Sequence, residues 1–179
     1  MHSEATIKRV PICTPSAPAN YNSPGQIVIS GAVVGVNKAI EYAKELGAKR
    51  AIPLAVSGPF HSQLMEEAGQ KLRPVLEAMD WKNPSAPVIS NIDGQEMTET
   101  TGIIESLVRQ VSGAVLWEQS IRHLAEQGVD TFIELGPGKV LTGLVKKIVP
   151  GATLYNCEDS ASLEKLLAYL KESRYNVAE

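Results

Sequence analysis

Apolar positions recur along this chain with two different periods, and the switches between them set the expected order of elements. Ile27-Val28-Ile29-Ser30 is a short β-branched run that follows the turn-rich stretch Asn20 to Gln26, which predicts a strand. From Asn37 to Leu46 the residues Ala39, Ile40, Ala43 and Leu46 share one helical face, and Gly47 stands where a left-handed C-terminal cap belongs. Ile52, Leu54 and Val56 then alternate with smaller residues as a strand, although Pro53, having no N–H, pushes it toward a sheet edge or a non-bonded position. Ser62 can cap a helix carrying Leu64, Ala68, Leu72, Val75, Leu76 and Met79 on one side. A kink or break is expected near Gly69 to Pro74, because Pro74 removes a donor and crowds the carbonyl of Gln70.

Beyond Asn83-Pro84 and Ala86-Pro87 the pattern alternates more regularly. Val88-Ile89-Ser90 reads as a strand ending in the turn Asn91-Ile92-Asp93-Gly94. Ile103, Ile104, Leu107, Val108 and Val111 mark one helix, and Trp117, Ile121, Leu124 and Ala125 mark another that Gly128 closes. Thr131 to Leu135 is a strand feeding Gly136-Pro137-Gly138-Lys139, after which Val140, Leu141, Leu144, Val145 and Ile148 trace a helix stopped by Pro150. Ala152 to Cys157 supplies a last strand, and Ser160 or Ser162 caps a final helix with Leu163, Leu166, Leu167 and Leu170 inward. Strand-helix alternation from Val88 onward implies parallel pairing in a layered α/β body. Met1 to Ala19, polar and bearing Pro11, Pro15 and Pro18, has no sustained period and is expected to be a poorly ordered lead.

Composition narrows the class of partner. The 179 residues are 44% hydrophobic and 21% charged with a net charge of −3, an ordinary globular balance without the basic footprint of a nucleic-acid binder. No apolar run reaches the ~18 residues that span a bilayer, and the start lacks a charged-then-apolar signal pattern, so a cytoplasmic protein is expected. Cys13 and Cys157 lie far apart with no CxxC and no histidine at ligand spacing, which argues against a disulfide framework and against a metal site.

Candidate chemistry concentrates on Val56-Ser57-Gly58-Pro59-Phe60-His61-Ser62-Gln63-Leu64-Met65, where a histidine stands on a turn between an apolar strand and an amphipathic helix. An imidazole ordinarily titrates near ~6.5, so His61 suits a general base, although a lone loop histidine is more often solvated or simply satisfied. Asn22 could face a site from its turn, or could simply serve the turn's backbone angles. The Gly136–Lys139 turn before a helix N-terminus could hold a phosphate, yet neither glycine-rich nucleotide spacing is present, which favours a tight structural turn.

Five separated blocks carry a resemblance: NYNSPGQIVISG (Asn20 to Gly31), VSGPFHSQLM (Val56 to Met65), SNID (Ser90 to Asp93), LVRQ (Leu107 to Gln110) and ELGPGKVLTGL (Glu134 to Leu144). In order and spacing the stretch from Asn20 to Val149 resembles malonyl-CoA:acyl carrier protein transacylases. The resemblance implies malonyl transfer from coenzyme A to acyl carrier protein in fatty acid biosynthesis, with malonyl-CoA as substrate and no cofactor. It implies a C-terminal part of a hydrolase-like parallel-sheet body with part of a small ferredoxin-like α+β subdomain. The implied division is a lead over residues 1–19, the partial subdomain over 20–57 and the acyltransferase body over 58–179. His61 matches the family's catalytic histidine, and the main-chain carbonyl that orients its ring falls on Gln110. Phe60 and Asn22 fall on the substrate pocket, a bulky aromatic at position 60 accompanying malonyl selection.

The nucleophile departs from the family pattern. Its G-H-S-x-G elbow would lie ahead of Asn20, and no serine here has glycine at both −2 and +2: Ser57 has Ala55 and Pro59, and Ser30 has Val28. The glutamine-rich segment of the oxyanion hole and the arginine that clamps the malonyl carboxylate would also precede the matching region. Three readings follow: a C-terminal portion of a transacylase, inactive alone; a non-catalytic module that binds acyl carrier protein or a separate N-terminal half; and a hydrolase with another serine, which the missing elbow disfavours.

Overall fold

The computed structural model describes residues 16–175, and their contacts divide the chain into two compact units, Met1–His123 and Leu124–Glu179. Residues 20–57 and 58–123 therefore share one unit.

In the first unit β1 (Ser16–Ser23) and β2 (Gln26–Gly31) form an antiparallel hairpin closed by Pro24 and by Gly25 at φ 76°. Ser16 to Ala19, expected in the irregular lead, are strand, because Ser16, Ala17 and Pro18 register against Gly31, Ser30 and Ile29; the rest of that lead, 1–15, lies outside the described residues. Two irregularities, between Pro18 and Asn20 and between Tyr21 and Ser23, let β1 tolerate the proline. Helix α1 (Val33–Glu45) starts four residues before Asn37, and Gly47 takes φ 83° just beyond it as the sequence predicts.

The strand expected over Ile52 to Val56 is absent. Ile52, Leu54 and Val56 are 60%, 58% and 65% exposed, and no strand of the described residues pairs with them. Alternation marks residues able to join a sheet; without a neighbouring strand the segment stays irregular, and the Val56 N–H turns back to the Leu54 carbonyl at 3.0 Å. A single 3-10 turn (Gln63–Met65) then leads into α2 (Glu66–Glu77). Pro74 does not break α2, since it falls in the last turn, where one lost bond ends little helix. Gly69 allows α2 to cross α3 (Thr100–Gln110) closely, as a methyl there would stand 2.8 Å from the Val108 carbonyl.

Val88–Ile89 (β3) pairs antiparallel with Glu96–Met97 (β4) rather than joining a parallel series, because the four-residue turn Asn91–Gly94 permits only a hairpin return. Helix α4 (Trp117–Glu126) follows α3, and Gly128 at φ 89° ends it. Leu76, Val108 and Ile121 are buried in this unit.

The second unit is a βαβα arrangement of β5 (Thr131–Leu135), α5 (Val140–Ile148), β6 (Thr153–Cys157) and α6 (Ser160–Tyr175). Strands β5 and β6 pair in parallel from Thr131 opposite Thr153 to Leu135 opposite Cys157. Leu144, Val145, Ile148 and Leu166 are its buried residues. Helix α6 is capped by neither serine alone: Asp159 Oδ1 accepts the Ser162 N–H at 2.8 Å, and Ser162 Oγ accepts the Asp159 N–H at 3.0 Å, a reciprocal capping box.

The chain's own acceptors occupy donors of the glycine-rich turn and of the helix start that follows it, Gly136 N–H donating to the Cys157 carbonyl at 3.0 Å. Gly138 N–H donates to Glu158 at 2.9 Å, while Glu134 accepts the Leu141 N–H at 3.1 Å and the Thr142 N–H and hydroxyl at 2.7 and 2.6 Å. A tight structural turn, not an open phosphate cradle, is what this geometry provides. The Thr142 hydroxyl first, and then the N–H groups of Thr142, Leu141 and Val140, hold the Glu134 carboxyl below its ordinary value of 4.5 against an opposing desolvation. A depressed folded value means that the carboxylate stabilises fully above its unfolded value and ceases to do so as pH falls through the folded one. Glu134→Gln is therefore expected to lower stability by ~1 kcal/mol at pH 7, the scale of a helix cap. In urea melts the gap from the wild type should close as pH drops below 4.5; a pH-independent gap would contradict this.

Candidate active site

His61 adopts φ 59°, the left-handed region that a non-glycine residue enters at a cost of ~1 to 3 kcal/mol. What holds it there is local. Ser62, 3% exposed, donates its hydroxyl to the Pro59 carbonyl at 2.6 Å, and Met65 N–H donates to the Ser62 carbonyl at 2.9 Å. The turn so braced aims the imidazole at the C-terminal end of α3, where helix carbonyls have run out of intrahelical donors.

His61 Nδ1 lies 3.0 Å from the Gln110 carbonyl oxygen and 3.1 Å from that of Gly113. Both oxygens can only accept, so Nδ1 carries the proton and shares it between them, and Nε2 of the neutral ring keeps its lone pair. Gln110 Nε2 also stands 3.5 Å from Nδ1, but two donors face each other there. That amide instead donates to the Gly113 carbonyl at 3.0 Å and toward the Ala114 carbonyl at 3.5 Å. Turning it over would set its oxygen against those same two oxygens.

The loop between α3 and α4 is held from two sides. Strand β1 grips it through Tyr21 N–H to the Val115 carbonyl at 2.9 Å and Val115 N–H to the Ala19 carbonyl at 2.8 Å. The Ser90–Gly94 turn grips it through Leu116 N–H to the Asn91 carbonyl at 2.6 Å. That turn is itself tied to α3: Ser90 Oγ lies 2.5 Å from Ser106 Oγ, and Arg109 meets Asp93 through Nη2 at 2.9 Å and Nη1 at 3.4 Å.

Of the residues expected at the site, the structure thus joins His61 to Gln110. Asn22 is half-buried in β1 at its second irregularity; its strand reaches the loop through Val115, and the described bonds of His61 do not include it. Phe60 is half-exposed, its ring lying 3.4 Å from where a methyl on Gly58 would stand. The Gly113 carbonyl is an acceptor that sequence reasoning missed, since a main-chain oxygen leaves no residue type to find. A groove between α2 and α3 holds Arg73 and Arg109, but each already faces a carboxylate, Glu105 at 2.7 Å and Asp93 at 2.9 Å.

Residues 3–168 match the family described as the acyl transferase domain. The chain belongs to that family. The Bacillus subtilis malonyl CoA-acyl carrier protein transacylase is 52% identical over 158 residues, 88% of this chain and 50% of the relative. The Staphylococcus aureus protein of the same name is 46% identical over 131 residues, 73% of this chain and 42% of the relative. Among solved structures, the Clostridium perfringens transacylase superposes with a TM-score of 0.90 at 44% identity, covering 98% of this chain and 55% of that one. A malonyl-transacylase solved in complex with a type II PKS acyl-carrier protein gives 0.87 at 41% identity, covering 92% and 53%. The chain spans about half the length of the relatives it matches. The acyl transferase fold expected from the sequence, mixed α/β with a parallel pair, is thereby established.

Because Ser62 closes the turn that carries His61, Ser62→Ala is expected to cost ~1 to 3 kcal/mol, the loss of a buried hydroxyl bond. Amide exchange at His61 to Met65 should quicken before exchange in α2 does. Unchanged exchange there would assign the brace elsewhere.

Proposed function

We propose that this chain carries the acid-base half of a malonyl-CoA:acyl carrier protein transacylase, serving fatty acid biosynthesis. The observation that carries the reading is the His61 ring: with Nδ1–H committed to two carbonyls, Nε2 is the nitrogen left to move a proton. A serine supplied by the family's nucleophile elbow would give its proton to Nε2 while attacking the malonyl thioester. Nε2 would return that proton to the departing coenzyme A thiolate. The acyl carrier protein thiol would then pass its proton through the same atom, restoring the serine as malonyl leaves. The relatives' names and the solved complex with an acyl-carrier protein support malonyl-CoA and acyl carrier protein as partners. Phe60 would crowd an α-methyl on the acyl group, and Asn22 would line the pocket from β1.

A second observation favours a module completed by a separate N-terminal half. Ile52, Leu54 and Val56 lie exposed just ahead of His61, apolar on alternate positions and paired with no described strand, with the Val56 N–H turned back to the Leu54 carbonyl at 3.0 Å. Such a segment suits addition of a neighbouring strand. The incoming strand would meet the backbone of Ile52, Leu54 and Val56, displacing the Val56 N–H from the Leu54 carbonyl, because the opposite edge lacks the Pro53 donor.

The test is reconstitution. Residues 1–179 alone are expected not to transfer malonyl, and adding the N-terminal half of the Bacillus subtilis relative should restore transfer. In that mixture His61→Ala should lower kcat roughly 10²- to 10⁴-fold, the usual worth of a general base. Phe60→Ser should raise the methylmalonyl-to-malonyl ratio of kcat/KM by roughly 10- to 200-fold, the worth of one methyl group. Transfer by the chain alone, abolished by His61→Ala, would reveal another nucleophile; a flat ratio with falling stability would make Phe60 mere packing.

A further inference from the structure

We infer that the Gly113 carbonyl is a second acceptor that sets the His61 ring, and that Ile92 in the Ser90–Gly94 turn is the positioning residue that fixes it. The inference deepens the reading of His61 as the base and rests on it. One acceptor alone would leave the imidazole free to rock about its Nδ1–H···O axis, whereas two acceptors, 3.0 and 3.1 Å away and three residues apart in the chain, define a plane. Where Nε2 points is then decided by where both oxygens are held.

The Gln110 oxygen is held by helix α3 itself. The Gly113 oxygen lies beyond the helix and needs separate support. From one side Gln110 Nε2 donates to it at 3.0 Å, so one residue offers its carbonyl to the ring and its amide to the companion carbonyl. Gly113 N–H donates back to the Arg109 carbonyl at 2.9 Å, which curls the chain over the helix end. From the other side comes Ile92. A methyl on Gly113 would run into Ile92 Cδ1 and stand 3.0 Å from Ile92 Cγ1 and 2.9 Å from the Arg109 carbonyl. The peptide of Gly113 is therefore pressed between the isoleucine side chain and the last turn of α3, with no room for any residue larger than glycine.

Ile92 can act as a wedge because its own turn is anchored at both ends. Asp93 receives both Arg109 nitrogens, Ser90 Oγ meets Ser106 Oγ, and Gly94 N–H donates to the Ser90 carbonyl at 2.7 Å. The Asn91 carbonyl takes the Leu116 N–H, three residues past Gly113. Ser106 and Arg109 lie on the helix whose end supplies the first acceptor, so a single rigid element references both oxygens. The conjunction of SNID, LVRQ and Gly113 thus has one physical purpose: to place two carbonyls against one ring nitrogen.

The experiment needs no acyl transfer, so its failure is separable from failure of the functional reading. Residues 1–179, labelled with ¹⁵N-histidine, report the tautomer of His61 through its ring nitrogens, His61→Asn assigning the signals. In the neutral form of the ring the wild type should show Nδ1–H with an unprotonated Nε2. Gly113→Ala should mix the tautomers, and Gly113→Ala with Ile92→Ala should recover the wild-type signature in part, since the methyl is then freed from Ile92 but still stands 2.9 Å from the Arg109 carbonyl. Should Gly113→Ala fail to fold, Ile92→Ala alone decides: removing the wedge should also mix the tautomers while far-ultraviolet dichroism stays native. In the reconstituted enzyme Gly113→Ala should lower kcat by up to roughly 100-fold with KM nearly unchanged, as a misplaced reacting group does. A folded Gly113→Ala or Ile92→Ala chain that keeps the wild-type tautomer would overturn the inference, leaving Gln110 as sole acceptor. A double variant no better than Gly113→Ala would overturn the wedge.

Discussion

The end of helix α3 is the constraint around which the first unit is arranged. A helix must leave its last carbonyls without intrahelical donors, and a donor has to come from elsewhere. Here it comes from an imidazole 49 residues earlier in the chain, which reaches the helix end because His61 accepts a left-handed backbone. The β1 hairpin, the Ser90–Gly94 turn and the close crossing of α2 over Val108 at Gly69 all bear on the same helix or on the loop that leaves it. Local strain at one residue is thus offset by bonds distributed over the unit.

Helices were legible where their apolar faces were complete. Ile103, Ile104, Leu107 and Val108 marked α3, and Leu144, Val145 and Ile148 marked α5, because burial of one stripe is enough to define such an element. Strands were legible only when a partner was present. Thr131–Leu135 found β6 and Ile27–Ser30 found β1, but Ile52 to Val56, with as good an alternation, found none. A helix satisfies its own backbone, whereas a strand depends on a neighbour that no local pattern records. The same limit misdirected the pairing of Val88: a strand's direction is set by its connection, and Asn91–Gly94 was read as a turn without its hairpin consequence.

The candidate site divides along a similar line. His61 stood out because its chemistry is peculiar to its side chain, and the resemblance pointed to Gln110. Gly113 and Ile92 did not stand out, since one contributes a peptide oxygen and the other a shape. Helix caps behaved likewise. A serine near a helix start is a familiar signal, yet Asp159 and Ser162 share the task reciprocally, and Ser62 serves the turn before it.

Orienting an imidazole with peptide oxygens alters how such a site drifts. A carboxylate partner disappears with one nucleotide change, whereas a carbonyl survives nearly every substitution at its own position. The information that specifies the ring's partner is therefore stored in the path of the chain between Arg109 and Leu116, not in a letter of the sequence. Heredity can erase it only by rerouting that path, through an insertion, a deletion or a side chain where none fits.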